Sequence, residues 1–364
     1  MKRRAETHDY TARRIYMITM EVTDRQPLLG RLEGNPFAAD EAPDAPRLIP
    51  SPLGLAVQRE WQGIPRYYPQ IEILALQLMP DHLHGILFVR EPLPVHLSQV
   101  LTGFKVGCNR YLREHPLLAA TQPQPTAKPS PQPAPPLSPQ PPSPPSPQAA
   151  AVSPLSPPAP LPPSAPLPPS APLPPPPFRP LFAPGFNDLI LRSFDELPVW
   201  RNYLRDNPRR LLMKHARPEW LRPFFNFKVG SQVYSGIGNR ALLDVASRIA
   251  VRVAKRLTWE EAADEERRYL ERARAGTVLI SPAISKGEKR VMRAAFDAQL
   301  PTVVIMENGF TPLSKPHGEQ FYACAEGRLL MLSPWPHHNE RHRLTRQQCI
   351  AMNLMALELC GQMR

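Results

Sequence analysis

The sequence lacks the marks of several large protein classes. No apolar run approaches the roughly 20 residues that a membrane-spanning helix requires. The opening stretch, Met-Lys-Arg-Arg-Ala-Glu-Thr-His, has no apolar core of the kind a secretory signal carries. Cysteine is scarce. Cys108, Cys324, Cys349 and Cys360 form no C-x-x-C pair, which suits reduced thiols in a cytosol. These absences together lead to the expectation of a cytoplasmic protein that makes no use of a membrane. Acidic residues are the minority: 32 Asp and Glu stand against 44 Lys and Arg, for a net charge of +12 and a pI near 9.8. That balance suits a polyanionic partner, although charge alone also fits a merely basic soluble protein.

Charge is almost missing from one internal tract. Lys128 is the only charged residue between Pro116 and Pro177, and more than half of the 51 prolines lie in residues 116–180. Leu161-Pro-Pro-Ser-Ala-Pro-Leu-Pro-Pro-Ser-Ala-Pro-Leu-Pro-Pro175 repeats a short unit. Proline donates no backbone hydrogen bond, so such a chain forms neither helix interior nor sheet ladder, and it has little apolar surface to bury. It is expected to be a disordered, partly polyproline-II insertion at a surface loop.

What is present centres on Gln77-Leu-Met-Pro-Asp-His-Leu-His-Gly-Ile-Leu-Phe-Val89. Apolar residues crowd both flanks, as in buried strands. If His82 to Val89 is extended, His82 and His84 point to one face and Leu83 to the other. Two imidazoles side by side on a sheet can chelate one metal ion, yet an H-x-H pair taken alone is more often just a polar face. Around it the pattern predicts a strand over 13–22, a loop over 31–50, a helix over about 53–63 and a strand over 71–78. A basic amphipathic helix follows from Leu97 to Arg113, carrying Lys105, Arg110 and Tyr111.

The pattern resumes beyond the proline tract. Phe186 to Arg192 reads as a strand. Ser193 and Glu196 have the spacing of a capping box opening a helix, and that helix is expected to end at Asn207, because the residue before proline avoids the α region. Tyr203 and Asn207, four apart, share a helix face.

Three phrases together resemble the REP-associated tyrosine transposases, a group of single-tyrosine HUH enzymes: Leu78-Met-Pro-Asp-His-Leu-His-Gly85, Gly103-Phe-Lys105, and Tyr203-Leu-Arg-Asp-Asn-Pro208. The sequence departs from that pattern at Leu189, where the group carries a histidine. The resemblance implies an α+β fold: a small antiparallel-sheet HUH nuclease domain with flanking helices, interrupted by the proline-rich insertion. It implies Tyr203 as the nucleophile and His82, His84 and Asn207 as ligands of Mg2+ or Mn2+, although imidazole would also suit zinc. Lys105, Arg110, Arg192, Arg209 and Arg210 are the expected DNA contacts, with Lys214 and His215 as further basic groups. Tyr111 ranks second as nucleophile. The expected partner is single-stranded, hairpin-containing DNA, nicked through a 5′-phosphotyrosine and rejoined without ATP, in a nucleoid-associated protein. The residues leave open monomer against homodimer, and whether Tyr203 serves its own site or a partner's.

Residues 223–364 read differently. Strands are expected over 277–282, 302–306 and 328–333, with helices over 245–273, 286–298 and 345–359. Strand–helix–strand units imply parallel crossovers and a C-terminal α/β Rossmann-like domain, faintly similar to LOG-like and DNA-processing-type nucleotide-binding domains. The long dinucleotide fingerprint is absent, so Gly236-Ile-Gly-Asn239 is weak as a phosphate loop. Ser281, Ser285, Gly287 and Glu288 sit where a strand meets a helix, and His337, His338 and His342 read as a solvated loop. The expected organisation is thus 1–115 with 181–222, the insertion 116–180, and 223–364, the last with no assigned ligand. Two alternatives stay open beside the nicking enzyme: a domesticated DNA-binding protein that no longer cleaves, and a nucleotide- or ligand-sensing protein acting through its C-terminal half.

Overall fold

The computed structural model describes residues 8–115, 178–254, 256–340 and 343–362. The insertion expected over 116–180 lies outside the described residues apart from 178–180, as does His342. No helix among the described residues is long and apolar enough to cross a membrane.

The first sheet is antiparallel and four-stranded. Its strands are β1 (Arg14–Glu21), β4 (Ile71–Met79), β5 (His82–Val89) and β6 (Asn187–Leu191), in the order β4-β5-β1-β6. A strand from beyond the proline tract therefore completes a sheet begun before it. Period-two alternation divides the side chains. Tyr16, Ile18, Met20, Leu83 and Leu87 face one core, shared with helices α1 (Pro52–Tyr67) and α2 (Leu97–Glu114). Ile15, Ile86, Phe88 and Leu191 face the other, covered by Leu197 and Leu204 of helix α3 (Leu197–Ala216).

Three expectations change here. Residues 31–50 are more than a loop, because β2 (Gly30–Glu33) and β3 (Arg47–Pro50) pair antiparallel. Four-residue strands are too short to show an alternating pattern, and their pairing is secured by Leu48, which packs on the first core. Helix α3 does not stop at Asn207. It runs through Pro208 to Ala216. An interior proline removes one helical hydrogen bond, but Pro208 is buried and the next turns are anchored, Met213 being buried in a different core. Tertiary packing thus outweighs a local penalty of ~3 kcal/mol. Finally, Ser193 caps a 3-10 turn at Phe194–Glu196 by accepting from the Asp195 amide, and Glu196 accepts from the Arg192 amide, one residue outside the expected box.

The second sheet has six strands: β7 (Phe224–Val229), β8 (Gln232–Gly238), β9 (Arg248–Ala250), β10 (Val278–Ser281), β11 (Thr302–Ile305) and β12 (Leu329–Ser333). Their order is β7-β8-β12-β11-β10-β9. β9 to β12 are parallel to their neighbours, while β8 runs antiparallel to β12 and β7 antiparallel to β8. The parallel strands are joined by α4 (Trp259–Arg274), α5 (Lys286–Asp297) and α6 (Glu319–Ala325). Leu279 packs with α4 and α5, and Met331 with α6. Val278, Ile280, Val303, Ile305, Leu330 and Leu332 point the other way, onto α7 (Arg346–Leu359). Strand β9 lies inside the stretch expected to be helical; three residues are too few to show a period. Helices α4, α5 and α7 each open with a complete capping box, at Thr258/Glu261, Ser285/Glu288 and Thr345/Gln348.

One glycine is required for the first sheet to close. A Cβ on Gly85 would meet the fully buried Trp61 ring at 2.0 Å, and Trp61 is itself locked edge-on against Phe104 at 5.2 Å. Gly85→Ala is expected to cost about 1–3 kcal/mol through overpacking. Urea unfolding should show the midpoint falling at unchanged slope; an unchanged midpoint would mean that the tryptophan moves freely.

Candidate functional site

His82 and His84 stand on β5, on the face that α3 covers. Their register partners on β1 are Glu21 and Thr19. The two Nε2 atoms lie 3.2 Å apart, with the rings edge-to-face at 4.8 Å. Each Nδ1 is held from outside the pair. His82 Nδ1 meets Asp81 Oδ1 at 2.6 Å, and His84 Nδ1 meets Thr19 Oγ1 at 2.8 Å. Asp81 is fixed in turn by the Arg25 guanidinium at 2.9 Å, and Arg25 also pairs with Glu21 at 3.1 Å. Burial alone would raise the Asp81 carboxyl, but the hydrogen bond and charge of His82, with Arg25, outweigh it and hold it below its ordinary value.

His84 is only 8% exposed. Burial, reinforced by the charges of His82 and Arg25, pushes its pKa down to about 4. It is therefore held as the neutral imidazole, the form able to ligate a metal. Two nitrogens at ~2.0–2.1 Å from one ion, spread by about 90–110°, lie ~2.8–3.4 Å apart. The observed separation falls within that range. Partnered Nδ1 atoms and converging Nε2 atoms are the arrangement that histidine ligands adopt, so the residues present fit a small divalent cation.

Among the described residues no third His, Cys, Asp or Glu side chain joins the pair to make a metal cluster. A further protein ligand would have to be another oxygen donor, such as an amide, a hydroxyl or a carbonyl. Asn207 has its amide nitrogen buried without a hydrogen-bond partner. Amide nitrogen and oxygen exchange places on a flip, and a flip puts the amide oxygen in that buried position.

Tyr203 sits one helical turn before Asn207 on α3. Its ring meets His84 at 6.3 Å and Trp200 at 5.6 Å, and 42% of its surface is exposed. Tyr203 therefore reaches both the histidine pair and solvent. Tyr111 does not. It lies on α2, across the sheet, stacked on His115 at 4.1 Å.

The expected basic contacts part company. Arg110 is exposed, in the groove between α1 and α2 on the far side of the sheet from the histidines. Lys105 donates to the carbonyls of Ala183 at 2.6 Å and Gly185 at 2.5 Å, tying α2 to the segment that enters β6. Arg192 is exposed beyond the end of β6. Arg209 donates to the carbonyls of Pro36 and Ala38 and pairs with Asp40 at 2.7 Å, so it pins the β2–β3 connection onto α3. Arg210 reaches the C-terminal sheet unit: it donates to the Tyr322 hydroxyl at 3.1 Å and lies 4.1 Å above the Phe321 ring. Lys214 is exposed, with its Nζ 5.9 Å from the Phe321 ring, and its pKa is lowered by desolvation and by the charges of Arg210 and Lys315. Leu189, the departure from the resemblance, is paired with Met17 on the histidine side of β1 and is partly exposed.

In the C-terminal unit, Ser285 and Glu288 are consumed by the cap, where the Glu288 carboxylate accepts from the Ile284 and Ser285 amides. Ser281 accepts from the Ala283 amide, and a Cβ on Gly287 would strike Val253. His337 meets the Gly309 carbonyl at 3.2 Å, and the His338 amide donates to Asn308. Sequence reasoning passed over Thr19, Arg25, Asp81 and Trp200. Asp81 was legible, being next to His82, whereas Thr19 is brought in only by strand register.

No protein-family model matches the chain. An uncharacterized protein of Haemophilus influenzae strain Rd is 27% identical over 88 residues, which cover 24% of this chain and 43% of that protein. The chain thus spans less than half the length of that curated relative. Among solved structures, a REP-associated tyrosine transposase bound to a REP hairpin aligns at 12% identity and a TM-score of 0.29, over 56% of this chain and 73% of that one. DNA processing protein A from Helicobacter pylori, described for its single-stranded DNA binding mode, aligns at 17% identity and a TM-score of 0.27, over 36% of this chain and 59% of that one. Scores this low do not establish a shared fold.

Two outcomes are expected from this geometry. Asp81→Asn and Thr19→Val should each weaken Mn2+ binding by about 10–100-fold, the usual effect of removing a hydrogen bond behind a ligand; isothermal titration reads this, and undiminished affinity would mean that the pair does not hold the ion. In metal-free protein, the unfolded chain takes up the His84 proton near 6.5 while the folded chain resists until about 4. A lowered folded pKa contributes stability that is present above 6.5 and lost as pH falls toward 4. Urea midpoints should fall across that window, and less steeply in His84→Gln.

Proposed function

We propose that this chain is a metal-dependent, single-tyrosine DNA-nicking and strand-transfer enzyme acting on single-stranded, hairpin-containing DNA. The observation that carries this reading is the convergence of His82 Nε2 and His84 Nε2 at 3.2 Å with the Tyr203 ring against His84. The three phrases that resemble the REP-associated tyrosine transposases supply the substrate class.

His82, His84 and Asn207 would hold the ion, Mg2+ or Mn2+. When bound it supplies Lewis-acid neutralisation of a scissile phosphate. The chain's own residues do the rest. Asp81 and Thr19 fix the imidazole planes. Trp200 and His84 flank the Tyr203 ring and limit its rotation, so the phenol oxygen is delivered without a large entropic cost. That oxygen attacks phosphorus as its proton leaves. The P–O3′ bond breaks and the departing 3′-oxygen takes up, by way of solvent, the proton that the phenol released, giving a 5′-phosphotyrosine and a free 3′-hydroxyl. Attack by a 3′-hydroxyl reverses the step and frees Tyr203, so the phosphodiester energy is conserved. On this reading residues 1–115 with 181–222 form the nuclease domain, and 223–364 a Rossmann-like domain that takes no part in the bond chemistry.

Incubation of a 5′-end-labelled and a 3′-end-labelled hairpin library with Mn2+ tests this. A covalent adduct is expected that retains the 3′ label, vanishes in Tyr203→Phe and drops by at least ~100-fold in His82→Ala. Hairpin binding by the wild type without any adduct would replace this reading with that of a domesticated binder.

A further inference from the structure

A groove of about 480 Å³ opens beside Tyr203, within the ~300–1,000 Å³ span of small-ligand sites. One wall is α3, which presents Val199, Asn202 and Arg205. The other is the connection between β2 and β3, and Tyr322 of α6 also lines the groove. The groove thus runs from the nucleophile in one sheet unit to a tyrosine of the other.

Its charges are unequally committed. Asp40 is neutralised by Arg209, and Asp206 accepts from the Tyr322 hydroxyl, which also receives Arg210. Arg205 differs. It is exposed, it donates to the Asn202 side chain at 3.0 Å, and among the described residues no carboxylate lies within ion-pair distance of it. A guanidinium without a carboxylate partner therefore borders the groove, whose lining also includes Pro46 and a Val199 that is 67% exposed. Single-stranded DNA matches such a surface, with a phosphate for the guanidinium and apolar sugar and base faces for the apolar lining. The Arg205 guanidinium has the Asn202 side chain as its hydrogen-bond partner and no carboxylate beside it, and Val199 is exposed on the same helix.

We propose that this groove holds the stretch of single-stranded DNA adjoining Tyr203, with Arg205 as its phosphate contact and Tyr322 making the C-terminal unit part of the substrate-binding surface. The proposal rests on the reading of Tyr203 as nucleophile. Its test uses binding alone, so that the two can fail separately. Fluorescence anisotropy of a labelled oligothymidylate of roughly 15 nucleotides is measured with the full chain carrying Tyr203→Phe, without metal. Adding Arg205→Glu or Val199→Glu should weaken binding by about 10-fold or more, and Arg205→Ala should reduce the salt slope by about one. Arg274→Glu, at the exposed end of α4, should leave binding within ~2-fold and calibrates non-specific charge effects. Unfolding midpoints confirm that each variant is folded. Unchanged affinity in folded Arg205→Glu and Val199→Glu, an equal loss in Arg274→Glu, or no binding at all by the parent chain would each overturn the proposal. Adduct formation without an Arg205 effect would sink the groove and leave the nicking reading standing; an Arg205 effect without any adduct would do the reverse.

Discussion

Helix Leu197–Ala216 is shared between two cores, and the arrangement of the site depends on that sharing. Leu197 and Leu204 are buried against Ile86, Phe88 and Leu191 of the first sheet. Met213 is buried with Phe321, Leu329 and Met331 of the second. Each such side chain contributes on the order of 1.5–3 kcal/mol when fully buried. The segment is otherwise polar, with a proline inside it, and would be marginal alone. Tyr203 and Asn207 lie between Leu197 and Met213. Their placement on the helix is thus held from both ends, with Tyr203 against His84 of β5, and Asp206 and Arg210 lock the middle onto Tyr322 and Phe321.

Strand register is the second constraint. A slip of one residue between β1 and β5 would send both histidines into the face occupied by Leu83 and Leu87. Gly85 prevents accommodation there, because its neighbour across the core is the Trp61 ring. In the correct register Thr19 falls opposite His84 and supplies the bond that fixes its ring. Buried polar groups ordinarily find partners. Here the outer nitrogens do, while the inner pair face one another in a site that excludes most water. Asn207 adds a buried amide atom with no partner.

The arginines show why charge is a poor guide to contact. Arg209 and Arg210 follow Asn207 and Pro208 directly, and both look available in the sequence. One is spent on two carbonyls and Asp40, the other on Tyr322 and Phe321. Arg205, one turn earlier, has no carboxylate partner among the described residues. Each partner that makes this difference lies more than a hundred residues away along the chain, so no local pattern reports it.

The sequence by itself determined what short-range physics controls. Alternation placed His82 and His84 on one face, and apolar spacing at three and four marked Leu97–Glu114 as a helix. Four-spacing put Tyr203 and Asn207 together. Tertiary structure alone decided the rest. Pairing of short strands made a hairpin of residues 31–50, because Leu48 gains a core that a four-residue pattern cannot announce. Burial of Met213 carried α3 through Pro208 against its local preference. The groove beside Tyr203 is assembled from residues 40, 199–210 and 322, whose proximity is a property of packing and of no window in the chain.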